Sequence, residues 1–581
     1  MTRDGMNPPT QRRLAICLLM GLAGVVFFTG LGWGLPSREA DAYLLGDSPA
    51  PDGEQIMRLA GERAEDPALG ANVPQHLLEH RDRILLLNGT PADRAEILRR
   101  YRLYSLQPDE NTLLMALARM RPARGDFDPR FYQYGGVFVY PVGAALKLAS
   151  ALHFIPLTPK VAYYIDHPAL FGKFYIVARA VSALWGVLGI WPVFWIARRL
   201  SGGVWLPAAA CVGYIFMPGV VNQAHEAKPH LAGAVLMLMA VIAACRYVET
   251  GRSRPALGAG ILCGLAFGAV LSAVLVFVLL PIMVMLRGGR GRRRALLIAS
   301  AAGLLAYVVT NPYVAINLVR NRAVLRSNLT NSTEMYHVGG LREGIPNAIK
   351  LIGAGATPGF AMVGAVTILA ALRSARKEFT SGARGGRATL AILLAAPSLL
   401  ILMQFTALAA GKPAEYGRFA LFLNIALMLA AIAGIGRLVR SRIIGGVIVT
   451  ALLLATIVSG LNYLAGFIRD SLPHNSRLTA ADMIRQLAGG EPESIAVWAE
   501  PAPYAVPPVN LVRTQLFLLP RDYVPVPGHP PAQVLVRAED FIAPIPPQWA
   551  VDYDRFVIQP PHPTPLSWAA KPFVIYIRRN P

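Results

Sequence analysis

Two short groups of ionisable residues stand out in a chain that contains many long apolar runs. The first, Gln107-Pro-Asp-Glu110, carries adjacent carboxylates, and the second, His225-Glu-Ala-Lys-Pro-His230, combines an acid, a cation and two imidazoles. Ionisable groups at membrane level are costly and mark functional sites. Clustered titratable groups are also typical of reactive sites. We therefore expect the two segments to carry chemistry.

A carboxylate and a pair of cations are sufficient for one kind of group transfer, in which a hydroxyl displaces a lipid phosphate from a sugar. The carboxylate takes the proton of the attacking hydroxyl, and the cations neutralise the departing phosphate. We expect Asp109 to be the base and Glu110 to bind the acceptor or share that role. Glu226 is a further catalytic candidate, and Lys228 and Arg418 are the cations expected to hold the phosphate.

Other roles stay open for these residues. The side chains of Lys228 and Arg418 can extend to lipid headgroups instead. Glu226 can act as a local ion-pair partner of Lys228. His225, His230 and Tyr416 are predicted to contact substrate.

No cofactor is firmly predicted. The two histidines of the second segment could flank a divalent metal together with Glu226, and polar capping of two helix ends is the competing interpretation. The sequence contains no metal motif of the CxxC type.

The composition excludes an ordinary soluble domain. Hydrophobic residues make up 54% of the chain and charged residues 15%, whereas charged residues are about a quarter of a soluble protein. The net charge of +22 comes from arginines in short loops between apolar runs. There they act as topology signals and contact anionic headgroups, so nucleic acid is not an expected partner. The four cysteines lie inside apolar runs and indicate no disulfide framework.

Apolar runs of about 20 residues predict the membrane topology. The first run follows Arg12 and Arg13 and predicts an uncleaved helix with a cytoplasmic N-terminus. All later Arg-rich connections face the cytoplasm if residues 256–286 cross twice and residues 135–154 form a juxtamembrane or re-entrant helix. The result is about eleven spans, near 14–35, 174–197, 203–222, 230–247, 256–270, 271–286, 295–311, 351–372, 388–409, 419–436 and 443–465.

This topology makes residues 36–173 a first outer loop with juxtamembrane helices. Within that loop, residues 111–121 show apolar side chains at helical spacing beside two arginines. The pattern is typical of a helix lying in the membrane interface, and a small extramembrane bundle is the alternative.

The chain ends in a polar, proline-rich region. Short β-branched runs at 494–498, 533–537 and 573–577 predict strands separated by proline turns. We therefore divide the chain into a transmembrane domain, residues 1–467, and a small α/β-like extracytoplasmic domain, residues 468–581.

Several motifs resemble, in their order and topological side, those of GT-C glycosyltransferases of the protein O-mannosyltransferase and aminoarabinose-transferase type. The resemblance covers about residues 14–465, and each motif alone is short. The motifs are Gln107-Pro-Asp-Glu110, Asp126-Phe-Asp-Pro-Arg-Phe-Tyr-Gln-Tyr134, Ala178-Arg-Ala-Val-Ser-Ala183, Arg198-Arg-Leu-Ser-Gly202, His225-Glu-Ala-Lys-Pro-His230 and Tyr416-Gly-Arg-Phe419.

The resemblance implies a polytopic α-helical, GT-C-like fold whose first outer loop forms juxtamembrane helices over a lipid-facing cavity. It also implies transfer of a sugar, with inversion, from a polyprenyl-phosphate-linked donor to a lipid, glycan or protein acceptor. The acid of the first loop is the base in such enzymes, which corresponds to Asp109. Lys228 and His230 depart from the usual Arg and Tyr, and Gly417 separates Tyr416 from Arg418. These changes weaken the assignment of the phosphate and sugar contacts.

A later outer loop is also similar to the acceptor-side loop of the family. It follows Thr310-Asn-Pro-Tyr313 and contains Arg320, Arg322, Arg326, Tyr336 and His337. An ordinary solvated loop is the alternative. The same arginines keep a polysaccharide polymerase or ligase open as a competing function.

Other functional classes compete with a transferase. Charges within a membrane protein also line transport paths, so a transporter or flippase of lipid-linked sugars is an alternative, although no paired half-repeats are visible. A sugar-binding sensor without catalysis is another. The Ala-, Arg- and Gly-rich composition favours a bacterial inner membrane. Glycosylation sequons begin at Asn88, Asn328 and Asn331, and such tripeptides are common by chance.

Overall fold

The computed structural model describes residues 8–61, 84–289, 291–335, 339–380, 386–439, 441–520, 523, 531–538, 552–558 and 560–579. The chain divides into two compact units. The first comprises Met1–Thr29, Ala116–Ala144 and Arg179–Leu464, and the second comprises Gly30–Met115, Ala145–Ala178 and Ala465–Pro581.

Helices dominate the chain, because its apolar runs satisfy their backbone hydrogen bonds internally, as a bilayer requires. Up to residue 215 the helices are Pro8–Phe28, Asp41–Leu45, Gly53–Gly61, Pro91–Leu103, Pro108–Arg119, Gly136–Ala151, Val161–Asp166, Pro168–Leu188, Ile190–Ser201 and Trp205–Ile215. From residue 218 to 356 they are Pro218–Ala224, His230–Thr250, Ser253–Ala269, Leu279–Arg287, Arg292–Thr310, Pro312–Arg320, Arg322–Met335 and Leu341–Ala356. The remaining helices are Pro358–Thr380, Arg387–Ala409, Leu421–Leu438, Arg442–Asp470 and Ser476–Ala488. Short 3-10 segments cover Pro122–Arg124, Leu271–Val278 and Ala414–Ala420.

The predicted class, a polytopic α-helical membrane protein, is confirmed. Among the described residues, seven helices are long and apolar enough to cross a membrane. They are Thr10–Phe28, Pro168–Ser201, His230–Thr250, Arg292–Thr310, Arg387–Ala409, Ala414–Gly436 and Arg442–Asp470. Two bent helix pairs would raise the number to nine. By helix length and composition, the described residues therefore contain fewer membrane spans than the eleven predicted from sequence.

Several predicted spans are interrupted. Residues 351–372 were expected to form one span, but helices Leu341–Ala356 and Pro358–Ala371 meet at an angle of 108°. The break falls on Thr357, a buried residue with a positive φ of 68°. Helices Trp205–Ile215 and Pro218–Ala224 meet at 58°, because Pro218 cannot continue the preceding helix. The run 256–286 also divides at Val270, where the sequence predicts two segments.

Close approach of backbones holds one helix pair of the first unit together. A Cβ at Gly260 would lie 2.0 Å from the carbonyl oxygen of Ala299. A Cβ at Gly264 would lie 2.1 Å from the carbonyl oxygen of Gly303. Helix Ser253–Ala269 therefore contacts helix Arg292–Thr310 through a GxxxG pattern, as small residues allow in membrane proteins.

The second unit contains a six-stranded mixed sheet. Its strands are β1 (Leu85–Leu86), β2 (Ser494–Val497), β3 (Gln515–Leu518), β4 (Val534–Ala538), β5 (Tyr553–Ile558) and β6 (Phe573–Arg578), in the order β1-β3-β2-β4-β6-β5. β2 is parallel to β3 and β4, and the remaining pairs are antiparallel. β2, β4 and β6 match the three strands predicted from sequence. The edge strand β1 comes from the predicted first outer loop, so the sheet is not built from residues 468–581 alone.

The sequon at Asn88 lies at this edge and is structural. The Asn88 side chain is 6% exposed. Its Nδ2 donates to the carbonyl oxygens of Leu511 and Thr514, and its Oδ1 accepts the amide hydrogen of Leu516. Asn88 thus joins the first loop to the C-terminal region.

Candidate active site

Glu226 and Lys228 form a buried ion pair in the tight connection between helices Pro218–Ala224 and His230–Thr250. Lys228 Nζ lies 3.4 Å from Glu226 Oε2, and both side chains are at most 1% exposed. The Lys228 amide donates to the Glu226 carbonyl at 2.7 Å, which closes the turn. The predicted ion-pair alternative for Glu226 is therefore present. A buried ion pair is weak evidence for a contribution to stability. In a membrane protein, buried charges of this kind usually indicate a functional site.

Two amides support the Glu226 carboxylate from the preceding helical turn. Asn222 Nδ2 donates to Oε1 at 3.4 Å, and Gln223 Nε2 donates to Oε2 at 3.1 Å. Both amides are almost fully buried. Hydrogen bonds to the charged form stabilise a buried carboxylate. The first unit thus holds Glu226 in place with three donor groups.

His225 is anchored to backbone. Its Nδ1 lies 2.7 Å from the carbonyl oxygen of Val221, and its Nε2 lies 2.8 Å from the carbonyl oxygen of Thr29. Burial lowers the pKa of His225 to about 4, despite these two contacts. Burial therefore disfavours the protonated ring, and in the neutral form only one of its two nitrogens donates a hydrogen bond.

The sequence left a divalent metal open as an alternative for the two histidines and Glu226, and in the described residues no group of three His, Cys, Asp or Glu side chains could hold an ion. Both ring nitrogens of His225 face carbonyl oxygens. This leaves the anchoring of helix ends as the role that the geometry supports for His225.

His230, by contrast, brings three motifs together. Its ring makes an edge contact with Phe419, with centroids 5.2 Å apart, and a second edge contact with Tyr134, with centroids 6.3 Å apart. Tyr134 ends the Asp126–Tyr134 motif, and Phe419 ends the Tyr416–Phe419 motif. Segments that are distant in sequence therefore surround one imidazole in the first unit.

Arg418 lies among aromatic rings in the 3-10 segment Ala414–Ala420. Its guanidinium carbon is 5.2 Å from the centroid of the Tyr416 ring and 5.0 Å from that of Phe419. Its Nη1 lies 3.4 Å from Glu415 Oε2, and its side chain is 3% exposed. Cation–π contacts orient such a guanidinium without neutralising it. Arg418 is therefore a positioned, buried cation.

The Ala178–Ala183 motif also reaches this region. Ser182 Oγ donates to the Lys228 carbonyl at 3.4 Å. Arg179 is fully buried, and its charge contributes to lowering the pKa of His225. Arg179 is not among the site residues predicted from sequence, although an arginine inside an apolar run indicates a functional position.

Asp109 and Glu110 occupy the first turn of helix Pro108–Arg119 in the second unit, rather than preceding it as expected. Glu110 is fully buried, and its Oε2 accepts a hydrogen bond from Ser105 Oγ at 2.7 Å. Asp109 is half-buried, and its amide donates to Gln107 Oε1 at 2.6 Å. The two adjacent acids therefore have different environments: Glu110 is internal, and Asp109 is accessible.

Tyr504, in the C-terminal region, lies within electrostatic range of Asp109 and contacts two further aromatic rings. The rings of Tyr104 and Tyr504 stack with centroids 6.5 Å apart, and Trp568 contacts Tyr504 edge-on. Burial raises the pKa of Tyr504 to about 12, and the charges of neighbours that include Asp109 contribute. No sequence motif predicts that Tyr504 and Asp109 interact.

The Asp126–Tyr134 motif is anchored within the first unit. Asp128 accepts hydrogen bonds from Tyr132 Oη at 2.8 Å and from Asn317 Nδ2 at 2.7 Å. The sequon residue Asn328 donates to the Arg130 carbonyl and accepts from the Tyr132 amide, so its amide is structural. Helices Pro312–Arg320 and Arg322–Met335 thus contact the motif through Asn317 and Asn328.

The predicted loop arginines do not share this anchoring role. Arg320, Arg322 and Arg326 are exposed. Tyr336 and His337 lie outside the described residues.

Residues 159–316 match a family-wide sequence profile described as dolichyl-phosphate-mannose-protein mannosyltransferase. No curated protein matches the chain.

Two solved structures of ArnT from Cupriavidus metallidurans are similar to this structure. The form bound to undecaprenyl phosphate has a TM-score of 0.44 and 15% identity, over 83% of this chain and 96% of ArnT. The apo form has a TM-score of 0.41 and 14% identity, over 97% of both chains.

A third similar structure is the archaeal oligosaccharyltransferase AglB from Archaeoglobus fulgidus, in complex with an inhibitory peptide and a dolichol-phosphate. Its TM-score is 0.36 and its identity 13%, over 72% of this chain and 61% of AglB. The profile match includes the Ala178–Ala183 and His225–His230 motifs. The predicted resemblance is thus confirmed: over residues 159–316 the chain is similar to the dolichyl-phosphate-mannose-protein mannosyltransferase family.

Proposed function

We propose that this protein is a membrane glycosyltransferase that moves a hexosyl or pentosyl group from a polyprenyl-phosphate-linked donor to an acceptor hydroxyl, with inversion. The observation that carries the proposal is the buried Glu226–Lys228 pair, which lies inside the stretch that matches the mannosyltransferase profile. A membrane protein retains such charges where they serve a substrate.

Lys228 and Arg418 are proposed to bind the donor phosphate. Both are nearly fully buried, and each lies beside one carboxylate, at 3.4 Å in both pairs. Arg179 adds a third buried cation to the first unit. Charge-assisted hydrogen bonds from these cations to phosphate oxygens are strong in a medium of low dielectric constant. Glu226 then holds Lys228 in place, and His230 and Tyr416 position the neighbouring aromatic and cationic groups.

Asp109 is proposed to be the general base. Its partial exposure suits a group that must receive a hydroxyl proton, and Gln107 fixes the backbone at its position. As the acceptor oxygen attacks the anomeric carbon, its proton passes to the Asp109 carboxylate, and the sugar–phosphate bond breaks with the electron pair remaining on the phosphate. Glu110 is proposed to orient this helical turn through Ser105.

The acceptor is proposed to be a lipid, glycan or protein hydroxyl on the outer face of a bacterial inner membrane, with the N-terminus cytoplasmic and residues 468–581 extracytoplasmic. Tyr504, which interacts with the charge of Asp109, and the rings of Tyr104 and Trp568 that contact it suit an acceptor that carries apolar sugar or ring faces.

The proposal is tested in membrane vesicles that contain the full chain, with radiolabelled polyprenyl-phosphate sugars and a membrane acceptor extract. The wild type should produce a covalent glycosylated product, and Asp109→Asn should lower the rate by at least about a hundredfold. Asp47→Asn is a matched control in the same unit, because its side chain is 93% exposed. Normal turnover by Asp109→Asn would refute the base assignment.

The two bent helix pairs favour a second candidate, a flippase of lipid-linked sugars. Broken helices commonly line the substrate path of transporters. In the same vesicles a flippase would move the labelled lipid across the bilayer without forming a covalent product.

A further inference from the structure

A cavity of about 520 Å³ lies among helices Pro8–Phe28, Ile190–Ser201 and Arg387–Ala409 of the first unit. Its wall contains the cations Arg12, Arg198, Arg199 and Arg387 and the aromatic residues Trp191 and Trp195. None of these residues belongs to the candidate active site. The cavity thus pairs four guanidinium groups with an aromatic wall.

The charge of this cavity is largely uncompensated within the described residues. Arg199 is paired with Glu249. No described carboxylate lines the cavity, and none lies within salt-bridge distance of Arg12, Arg198 or Arg387. These three side chains are exposed at its rim. An anion that enters would therefore meet about three available positive charges.

The placement of the arginines agrees with the expected topology. Arg12, Arg198 and Arg387 come from three Arg-rich ends that the positive-inside rule assigns to the cytoplasmic side. The structure brings all three to one cavity. Basic pockets between membrane helices on that side are suited to the phosphates of anionic lipids.

The apolar wall decides between a lipid and a soluble phosphate. Trp191 is 40% exposed, and Leu14 and Leu18, on the helix that carries Arg12, are 44% and 65% exposed. Tryptophan at such a position is typical of the headgroup level of a bilayer. A lipid can place its phosphate against the arginines and its acyl chains along these apolar side chains. A soluble phosphate would leave the apolar part of the wall unused.

We propose that this cavity is a binding site for the phosphate headgroup of an anionic glycerophospholipid, separate from the site of sugar transfer. The guanidinium groups hold the phosphate oxygens through charge-assisted hydrogen bonds. The aromatic and aliphatic side chains contact the glycerol and the first carbons of the acyl chains. This inference does not depend on the proposed transferase activity.

The test is a lipid titration of the purified, delipidated full-length protein, followed by native mass spectrometry. The probes are cardiolipin, phosphatidylglycerol and phosphatidylcholine, with inorganic pyrophosphate as a soluble competitor. Cardiolipin should bind at least about tenfold more tightly than phosphatidylcholine. The triple variant Arg12→Gln, Arg198→Gln, Arg387→Gln should lose that preference, because each basic residue contributes about fivefold.

The matched control is Arg292→Gln, Arg293→Gln, Arg294→Gln, which removes three exposed arginines that do not line the cavity. Its cardiolipin affinity should stay close to that of the wild type, because none of these three side chains lines the cavity. Equal losses in both triple variants would overturn the proposal in favour of nonspecific attraction. Displacement of cardiolipin by equimolar pyrophosphate would overturn the lipid assignment. If the cavity variant does not fold, Arg387→Gln alone should weaken cardiolipin binding about fivefold.

Discussion

His230 and Phe419 meet edge to face, with their ring centroids 5.2 Å apart and their planes at 82°. Phe419 also lies under the Arg418 guanidinium. The imidazole at the start of one span therefore reaches the buried cation of a later segment through a single aromatic ring. This contact links the two polar motifs of the first unit.

Replacement of His230 should weaken donor binding by disturbing Arg418. His230→Ala removes the edge contact, and an aromatic pair of this kind is worth about 1 kcal/mol, so the KM for the lipid-linked donor should rise about fivefold to tenfold. His230→Phe keeps a ring against Phe419 and should stay close to the wild type. The measurement is the initial rate as a function of donor concentration. Equal effects of the two variants would contradict a positioning role for the ring.

Glu110 and Asp109 should respond differently to neutral substitution. Glu110→Gln keeps the size of a fully buried side chain and can still accept from Ser105, so we expect turnover to persist at reduced thermal stability. Asp109→Asn should abolish transfer and leave the melting temperature unchanged. Turnover is measured by a transfer assay and the melting temperature by thermal unfolding, on the same preparation of each variant. Loss of activity in Glu110→Gln at unchanged stability would instead assign catalysis to Glu110.

Variants of the Glu226–Lys228 pair should distinguish its effect on stability from its effect on activity. Glu226→Gln leaves Lys228 in a buried site without its 3.4 Å carboxylate partner, and such losses cost about 3–5 kcal/mol. Lys228→Met should also destabilise the fold. The double variant removes both charges and should recover most of the stability, as measured by thermal unfolding in detergent. If Lys228 binds phosphate, the recovered protein will still be inactive. An active double variant would contradict that role.

His225 predicts a pH dependence of stability. Burial lowers the pKa of His225 to about 4 in the folded protein, whereas the unfolded side chain titrates near about 6.5. The unfolded state therefore binds an additional proton between these values, and stability should fall as the pH decreases from about 6.5 to about 4. The change should be on the order of 3 kcal/mol. In His225→Gln the midpoint of thermal unfolding should depend less on pH over this range. If the slope of the midpoint against pH is the same as in the wild type, His225 is not the cause of the pH dependence.

Helix packing in the first unit can be tested with two glycines of one helix. Gly264→Ala places a Cβ 2.1 Å from the Gly303 carbonyl oxygen and should lower stability by about 1–3 kcal/mol. Gly258→Ala is the matched control, because nothing lies within 4 Å of its Cβ position. The control should be neutral or slightly stabilising through its better helix propensity. Thermal unfolding of both variants measures the difference, and equal midpoints would refute the close backbone contact.

The sequence by itself predicted the helical membrane class, the motifs and the strands β2, β4 and β6. These features depend on local hydropathy, periodicity and proline content, which act within a few residues of the chain. Local pattern also indicated the division at Val270. An apolar run of span length favoured one continuous helix over residues 351–372, although Pro358 disfavours a helical conformation at Thr357, where the bend lies.

Only the tertiary structure decided which motifs meet. The contacts of His230 with Tyr134 and Phe419, and the addition of β1 to a sheet of C-terminal strands, join residues that are far apart in the chain. Such contacts depend on how helices and strands pack, and packing is not encoded in any single window of sequence. The different environments of Asp109 and Glu110 also depend on the tertiary structure. The sequence shows only two adjacent acids, whereas in the structure Glu110 is buried against Ser105 and Asp109 stays accessible.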